Sequence, residues 1–283
     1  MVGLYTMSIY EAIILGVVQG LTEFLPVSSS GHLILVREVL GLGLGGGGLA
    51  FDAILHFATA LAVALYFWKD IFMLFQSAFL WVTQNEIEET QKRLIVALVV
   101  ATIPAVILGL LLEDIMASVF RNGALVAVTL VLGSIIMIVA EKLSKGGFWT
   151  EGETQREPLD TKGAVVVGLF QSLALVPGMS RSGMAISGGM LMGLSREMAA
   201  RFAFLLAVPL LLGAGAKKML DLSASGELMN GLMPLLIGAM SAFVVGILVI
   251  HYLLKYLRTH SLMVFVWYRL ALAAVILVVM VVV

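Results

Sequence analysis

The 283-residue sequence contains no cysteine. That excludes disulfides, thiolate-held metals and a cysteine nucleophile. Charge is scarce too: Asp, Glu, Lys and Arg make up 12% of the chain, against roughly 25% in soluble domains. The few charges nearly cancel, leaving a net −1, so no basic field points to a nucleic-acid partner. A cleavable signal peptide is not expected either. The first apolar stretch lacks a basic n-region, carries Glu11, Gln19 and Glu23, and runs straight into a serine cluster.

What is present is apolar surface. Hydrophobic residues reach 61%, and runs near twenty residues recur, the length that crosses a ~30 Å hydrocarbon core. Six stretches read as full spans: about 50–68, 94–112, 123–140, 197–216, 231–250 and 262–283. Residues 69–93 read as a polar, partly amphipathic connection, and 141–163 as the longest hydrophilic loop. The expected class is an all-α polytopic membrane protein.

Two stretches do not fit as plain spans. Residues 8–40 and 164–194 are each apolar, then interrupted by Pro, Gly and Ser, then apolar again. Helix, break, helix with limbs this short predicts a re-entrant hairpin, whose irregular backbone survives at membrane depth only under protein or beside a wet cavity. The two stretches also match each other. "GVVQGLTEFLPVSSSG" (16–31) set over "GLFQSLALVPGMSRSG" (168–183) pairs Gly16 with Gly168, Gln19 with Gln171, Leu21 with Leu173, Ser28 with Ser180, Ser30 with Ser182 and Gly31 with Gly183, without a gap. A weaker echo links "TIPAVILG" (102–109) and "LMPLLIG" (232–238). The chain therefore reads as one membrane domain, 1–283, of two pseudo-symmetric halves, 8–140 and 164–283, joined by the polar loop 141–163. Each half is a hairpin plus three transmembrane helices. Three spans is an odd number, so the second copy enters upside down, an inverted-topology repeat with the two broken tips meeting inside the bilayer. Basic residues collect on one face (Lys69, Lys92, Arg93, Lys142, Lys145, Arg156, Lys162, Arg196, Lys255, Arg258), which is then cytoplasmic, with both termini outside.

Each tip carries Ser-x-Ser-Gly leading into an apolar limb. Serine caps helix N-termini, and the unpaired N–H groups there make an anion site. Ser28, Ser30 and Gly31 from one tip and Ser180, Ser182 and Gly183 from the other are the candidate phosphate cradle. Arg181 adds a guanidinium fork suited to phosphate oxygens. Gln19 and Glu23 are four apart, on one helical face, and offer hard oxygen ligands to Mg²⁺ or Ca²⁺. Glu23 is alternatively a general base. His32 titrates near neutrality, and Ser29 or Ser30 becomes a nucleophile if a base lies within reach. These parts suit phosphoryl transfer.

On "QGLTEFLPVSSSGH" (19–32) and "PGMSRSG" (177–183), with "AISGGMLMGLSR" (185–196) and "FAFLLAVP" (202–209), the chain resembles the bacterial undecaprenyl-diphosphate phosphatase, or bacitracin-resistance, family over nearly its whole length. The resemblance implies an inner-membrane phosphatase that converts undecaprenyl diphosphate to undecaprenyl phosphate, the lipid carrier of peptidoglycan synthesis. It further implies a divalent cation and a site opening to the periplasm. By position it implies Gln19 and Glu23 for the acidic motif, Ser28, Ser29, Ser30, Gly31 and His32 for the serine-glycine-histidine motif, and Ser180, Arg181, Ser182 and Gly183 for the arginine motif. Gln19 departs from the glutamate often found there and cannot act as a base, which puts that duty on Glu23. Asp52, where the family often has Glu, is a weaker candidate, as is Gln171. The partners implied are undecaprenyl diphosphate and the lipid bilayer; a homodimer is compatible.

Plainer readings stand beside these. Breaks rich in Pro, Gly and Ser also arise just to satisfy freed backbone groups. Beside its functional role, Glu23 has a reading as a buried carboxylate bonded to the opposite tip, Arg181 as a brace for carbonyl ends, and His32 as an orienting group. His56, mid-span, reads as an interhelical hydrogen-bonding residue and not a catalyst. Arg269 is expected to snorkel or to pair, and Gly45–Gly48 to form a flexible external loop. The competing function is a secondary transporter or flippase of an anionic or lipid-phosphate substrate, since inverted repeats with broken helices are a transporter design.

Overall fold

The computed structural model describes residues 7–41, 46–112, 123–145, 159–224 and 232–282. The centre of the expected interhalf loop, 146–158, lies outside them, as does Gly45. Among the described residues there are eleven helices and no strand. In chain order they are α1 (Ile9–Thr22), α2 (Ser29–Val39), α3 (Gly46–Tyr66), α4 (Trp68–Val82), α5 (Glu89–Leu111), α6 (Gly123–Lys145), α7 (Thr161–Leu173), α8 (Arg181–Leu191), α9 (Arg196–Ala224), α10 (Leu232–Leu257) and α11 (Met263–Val282).

Helices α5, α6, α9, α10 and α11 are each long and apolar enough to cross a membrane. α3 joins them as the sixth span if it and α4 count as one bent element. The chain is a multi-pass membrane protein, and all six expected spans have a helix. One expectation is corrected. Residues 69–93 are not merely a polar connection, because α4 fills 68–82 and is bent 80° from α3. Its Trp68, Phe72, Phe75 and Phe79 recur at helical spacing on one exposed stripe, which the scattered charges of the segment mask in a composition reading. A second correction concerns the glycine run: Gly46–Gly48 belong to α3 and not to a loop.

The two broken stretches are hairpins, α1–α2 and α7–α8. Their limbs of 14, 11, 13 and 11 residues reach about 16–21 Å at 1.5 Å per residue, short of the hydrocarbon core. α1 rests on α10, and α7 rests on α5. The two matched glycines sit at these crossings. A Cβ on Gly16 would lie 2.3 Å from the Gly238 carbonyl oxygen, and one on Gly168 2.6 Å from that of Ala101. Backbones this close are how helices pack where lipid removes the hydrophobic drive. Gly16→Val is therefore expected to push α1 off α10 and lower the melting temperature in detergent by roughly 10 °C, as overpacking of a few kcal/mol does; a melt within 2 °C or so of wild type would contradict the packing.

Candidate active site

The two tips are built alike. α2 and α8 each begin after a serine in the left-handed region, Ser28 at φ 73° and Ser180 at φ 72°. That region is unfavourable for a non-glycine residue and is tolerated where surroundings fix it. What fixes it here is a cap: Ser28 Oγ accepts from the Gly31 N–H at 3.4 Å, and Ser180 Oγ from the Gly183 N–H at 3.1 Å. The serine two positions after each cap turns back onto it, Ser30 on Ser28 at 3.2 Å and Ser182 on Ser180 at 3.1 Å. The result is two helix N-termini with polar, small-residue mouths.

The tips touch. Ser182 Oγ donates to the Leu25 carbonyl at 3.0 Å, and Arg181 Nη2 donates to Glu23 Oε1 at 2.8 Å. Behind them lies Arg269, fully buried on α11. It donates to the Pro26 carbonyl of one tip (3.3 Å), the Gly178 carbonyl of the other (2.9 Å), the Leu130 carbonyl (3.1 Å) and Ser134 Oγ (3.1 Å). Of the two expectations for Arg269, to snorkel or to pair, the first is corrected: it stays inside and finds its partners in protein oxygens. Freed carbonyls at two broken helices offer a buried guanidinium more acceptors than the membrane surface is near enough to supply.

Glu23 is the centre of the cluster. Its side chain is 4% exposed, on the residue that ends α1. Oε1 takes Arg181; Oε2 takes Gln19 Nε2 at 2.8 Å and Ser29 Oγ at 2.7 Å. A carboxylate, a hydroxyl donating to it and a guanidinium thus meet at one point, with Arg181, Ser29 and Ser30 only half-buried. His56 Nε2 lies 3.4 Å from Glu23 Oε2. Reading the sequence alone set His56 aside as an interhelical bonding residue, since nothing near it in the chain announces Glu23 as a neighbour.

Other candidates fall elsewhere. His32 Nδ1 meets the Ser28 carbonyl at 2.7 Å, which accepts only, so this nitrogen carries the hydrogen. Nε2 then accepts from the Tyr268 hydroxyl, also at 2.7 Å. With both nitrogens engaged, His32 braces the Ser28 cap, and Tyr268 is a residue the sequence reading missed. Tyr268→Phe should lower turnover less than about tenfold, since one neutral hydrogen bond of about 1 kcal/mol is lost, whereas His32→Ala, which also strips a bond from the Ser28 carbonyl, should cost more; the two measured turnover rates decide it. Asp52 pairs with Arg37 at 2.5 Å and reaches the cluster only through its carbonyl, which takes His56 Nδ1 at 2.7 Å. Gln171 is buried on α7, is not among the residues bonded to Glu23, and has no hydrogen-bond partner at either amide atom among the described residues.

A divalent cation fits the donor set in a limited way. Gln19 Oε1 is buried without a hydrogen-bond partner among the described residues, beside the carboxylate that its Nε2 serves, a spare hard acceptor of the kind a cation uses. Among the described residues there is no group of three or more His, Cys, Asp and Glu able to hold a metal ion. The fit is therefore to a cation that completes its shell with phosphate oxygens and water, as Mg²⁺ commonly does.

Comparison with known proteins follows the same residues. The family model described as "Bacitracin resistance protein BacA" matches residues 12–275. A protein of Trichormus variabilis named "Undecaprenyl-diphosphatase" is 39% identical over 279 residues, covering 97% of this chain and 85% of its own. One of the same name from Alteromonas mediterranea is 41% identical over 273 residues, 96% and 98% of the two chains. A third, from Corynebacterium glutamicum, is 41% identical over 262 residues, 92% and 86%.

Proposed function

We propose, for a chain that belongs to the bacitracin resistance protein BacA family, that it is an integral-membrane phosphatase hydrolysing undecaprenyl diphosphate to undecaprenyl phosphate and inorganic phosphate. The reaction would recycle the lipid carrier for peptidoglycan synthesis and so give bacitracin resistance. The observation that carries this reading is the junction of the tips, where Ser29 Oγ donates to Glu23 at 2.7 Å while Arg181 from the other hairpin holds Glu23 at 2.8 Å.

The chain's own residues act as follows. The Ser29 and Ser30 N–H groups at the start of α2, their counterparts in α8 and the Arg181 guanidinium take the terminal phosphate oxygens. Ser29 Oγ attacks the terminal phosphorus and passes its proton to Glu23 Oε2. The bridging P–O bond breaks, and the electron pair leaves on undecaprenyl phosphate. Water then attacks the phosphoserine, Glu23 mediates the return of a proton to Ser29, and phosphate departs. Glu23 and Gln19 would hold the divalent cation, Mg²⁺ or Ca²⁺, which supplies charge neutralisation on the diphosphate oxygens. The prenyl tail lies along apolar helix surface open to lipid.

The inverted repeat is part of the proposal. In its support, the first limb of each hairpin rests on the middle span of the other half, α1 on α10 and α7 on α5, and the two caps share one geometry. The halves 8–140 and 164–283 then enter from opposite sides. For orientation in the inner membrane, Arg196–Glu141, Arg201–Asp70 and Arg258–Glu197 tie together segments assigned to one basic face, which supports reading that face as cytoplasmic and the termini as periplasmic; the opening of the site to the periplasm is carried over from the family resemblance.

Purified protein in detergent should release phosphate from undecaprenyl diphosphate and, with a labelled terminal phosphate, yield an acid-stable phosphoprotein that Ser29→Ala abolishes. Wild-type release by Arg181→Ala would overturn the site. A transport function is not favoured: the relatives carry the name of a diphosphatase, and a hydroxyl paired to a carboxylate is a device for chemistry that binding and release do not require.

A further inference from the structure

His56 was set aside by the sequence and is unused by the steps above, yet it faces the centre of the cluster. Its Nδ1 is 2.7 Å from the Asp52 carbonyl oxygen, an atom that only accepts. Nδ1 therefore carries a hydrogen, and in the neutral imidazole Nε2 is left as an acceptor. Glu23 Oε2, also an acceptor, lies 3.4 Å from it. In that neutral form neither atom has a hydrogen to give the other. A histidine whose other nitrogen donates to a backbone carbonyl is held as metal-ligating histidines are held. Two atoms each about 2.1 Å from one ion stand roughly 3.0–3.4 Å apart for bond angles between a right angle and the tetrahedral value, so the observed separation needs no rearrangement of either side chain. A third acceptor is present, since Gln19 Oε1 is buried without a partner and a half-turn of the amide presents it where Nε2 now donates.

We propose that His56 Nε2, with Glu23 Oε2 and Gln19 Oε1, is a ligand of the cation, and that its nitrogen turns the site toward first-row transition cations such as Mn²⁺ in preference to Ca²⁺. Oxygen-only sets suit Mg²⁺ and Ca²⁺, whereas an imidazole adds a borderline-soft donor that Ca²⁺ uses poorly. The inference rests on the phosphatase reading only for the remaining ligands, which come from the diphosphate and water. His56 is also about one-quarter exposed, so its ring is not sealed inside the packed tips.

The probe is Mn²⁺ added to purified, substrate-free protein, with free Mn²⁺ counted by its paramagnetic resonance signal and Ca²⁺ affinity measured by competition. Wild type should bind Mn²⁺ at least about tenfold more tightly than Ca²⁺. His56→Gln should lose about ten- to a hundredfold in Mn²⁺ affinity and less than threefold or so in Ca²⁺ affinity. Equal Mn²⁺ affinity in the two proteins, or no preference in wild type, overturns the proposal; the former is also the result expected if a protonated His56 simply donates to Glu23. Should His56→Gln fail to fold, nitrogen hyperfine coupling to Mn²⁺ in wild type decides it, and the absence of coupling overturns it. Phosphate release by the wild type is measured separately, so a failed ligand assignment leaves the phosphatase reading standing, and a failed phosphatase leaves the binding result readable.

Discussion

Glu23→Gln is expected to lower the turnover number for phosphate release from undecaprenyl diphosphate by about a thousandfold, within the range for loss of a positioned general base. The substitution is nearly isosteric, so it tests charge and basicity without opening a cavity. The amide oxygen can still accept from Arg181, but it cannot take the Ser29 proton, and its NH₂ would oppose the Ser29 hydroxyl or the Gln19 amide that now donate to the carboxylate. KM should change far less than kcat, because Arg181 and the helix N-termini that grip the phosphate remain in place. The measurement is a steady-state rate series on detergent-purified protein, with size-exclusion behaviour as the fold control. A well-folded Glu23→Gln protein within tenfold of wild-type kcat would remove Glu23 as the base.

Arg269→Ala should be as damaging by another route. Four donated bonds vanish; the Leu130 carbonyl keeps the Ser134 hydroxyl, but the Pro26 and Gly178 carbonyls are left facing a void in the packed interior. Each buried acceptor left unpaired costs about 1–3 kcal/mol, so a loss of about 2–6 kcal/mol is expected, on the order of 10 °C of melting temperature. Arg269→Lys should not rescue it, because an ammonium has three donors at a single point where a planar fork now spans four acceptors. Activity should fall even below the lowered melting temperature, since the carbonyls Arg269 holds belong to the two tips themselves. A stable Arg269→Lys protein with wild-type turnover would show that the tips assemble without this brace.

How much of this was legible beforehand follows from distance along the chain. The spans were, because an apolar run of twenty residues has few other uses. The hairpins were, because Pro26 in one stretch and Pro177 with Gly178 in the other interrupt limbs too short to cross. Gln19, Glu23 and Ser29 are close in sequence and were found together, and Arg181 was found through the internal match. What escaped detection answers partners far away. His32 meets Tyr268 across 236 positions, and Arg269 meets Pro26 across 243. His56 shows nothing locally except a bond to its own helix at Asp52. α4 was missed for a different reason: its aromatic stripe is broken by polar residues that a running average blends into a loop.

The buried arginine has one more consequence, which concerns time. The chain is made from its amino end, and α11 follows every other described helix. Both hairpins, with Glu23, Ser29 and Arg181, are synthesised before Arg269. Until it arrives, the Pro26 and Gly178 carbonyls lack the group that binds them to each other. Among the described residues, a partly synthesised chain therefore has only the Arg181–Glu23 and Ser182–Leu25 bonds to hold its two tips together, and the buried brace behind them comes with α11.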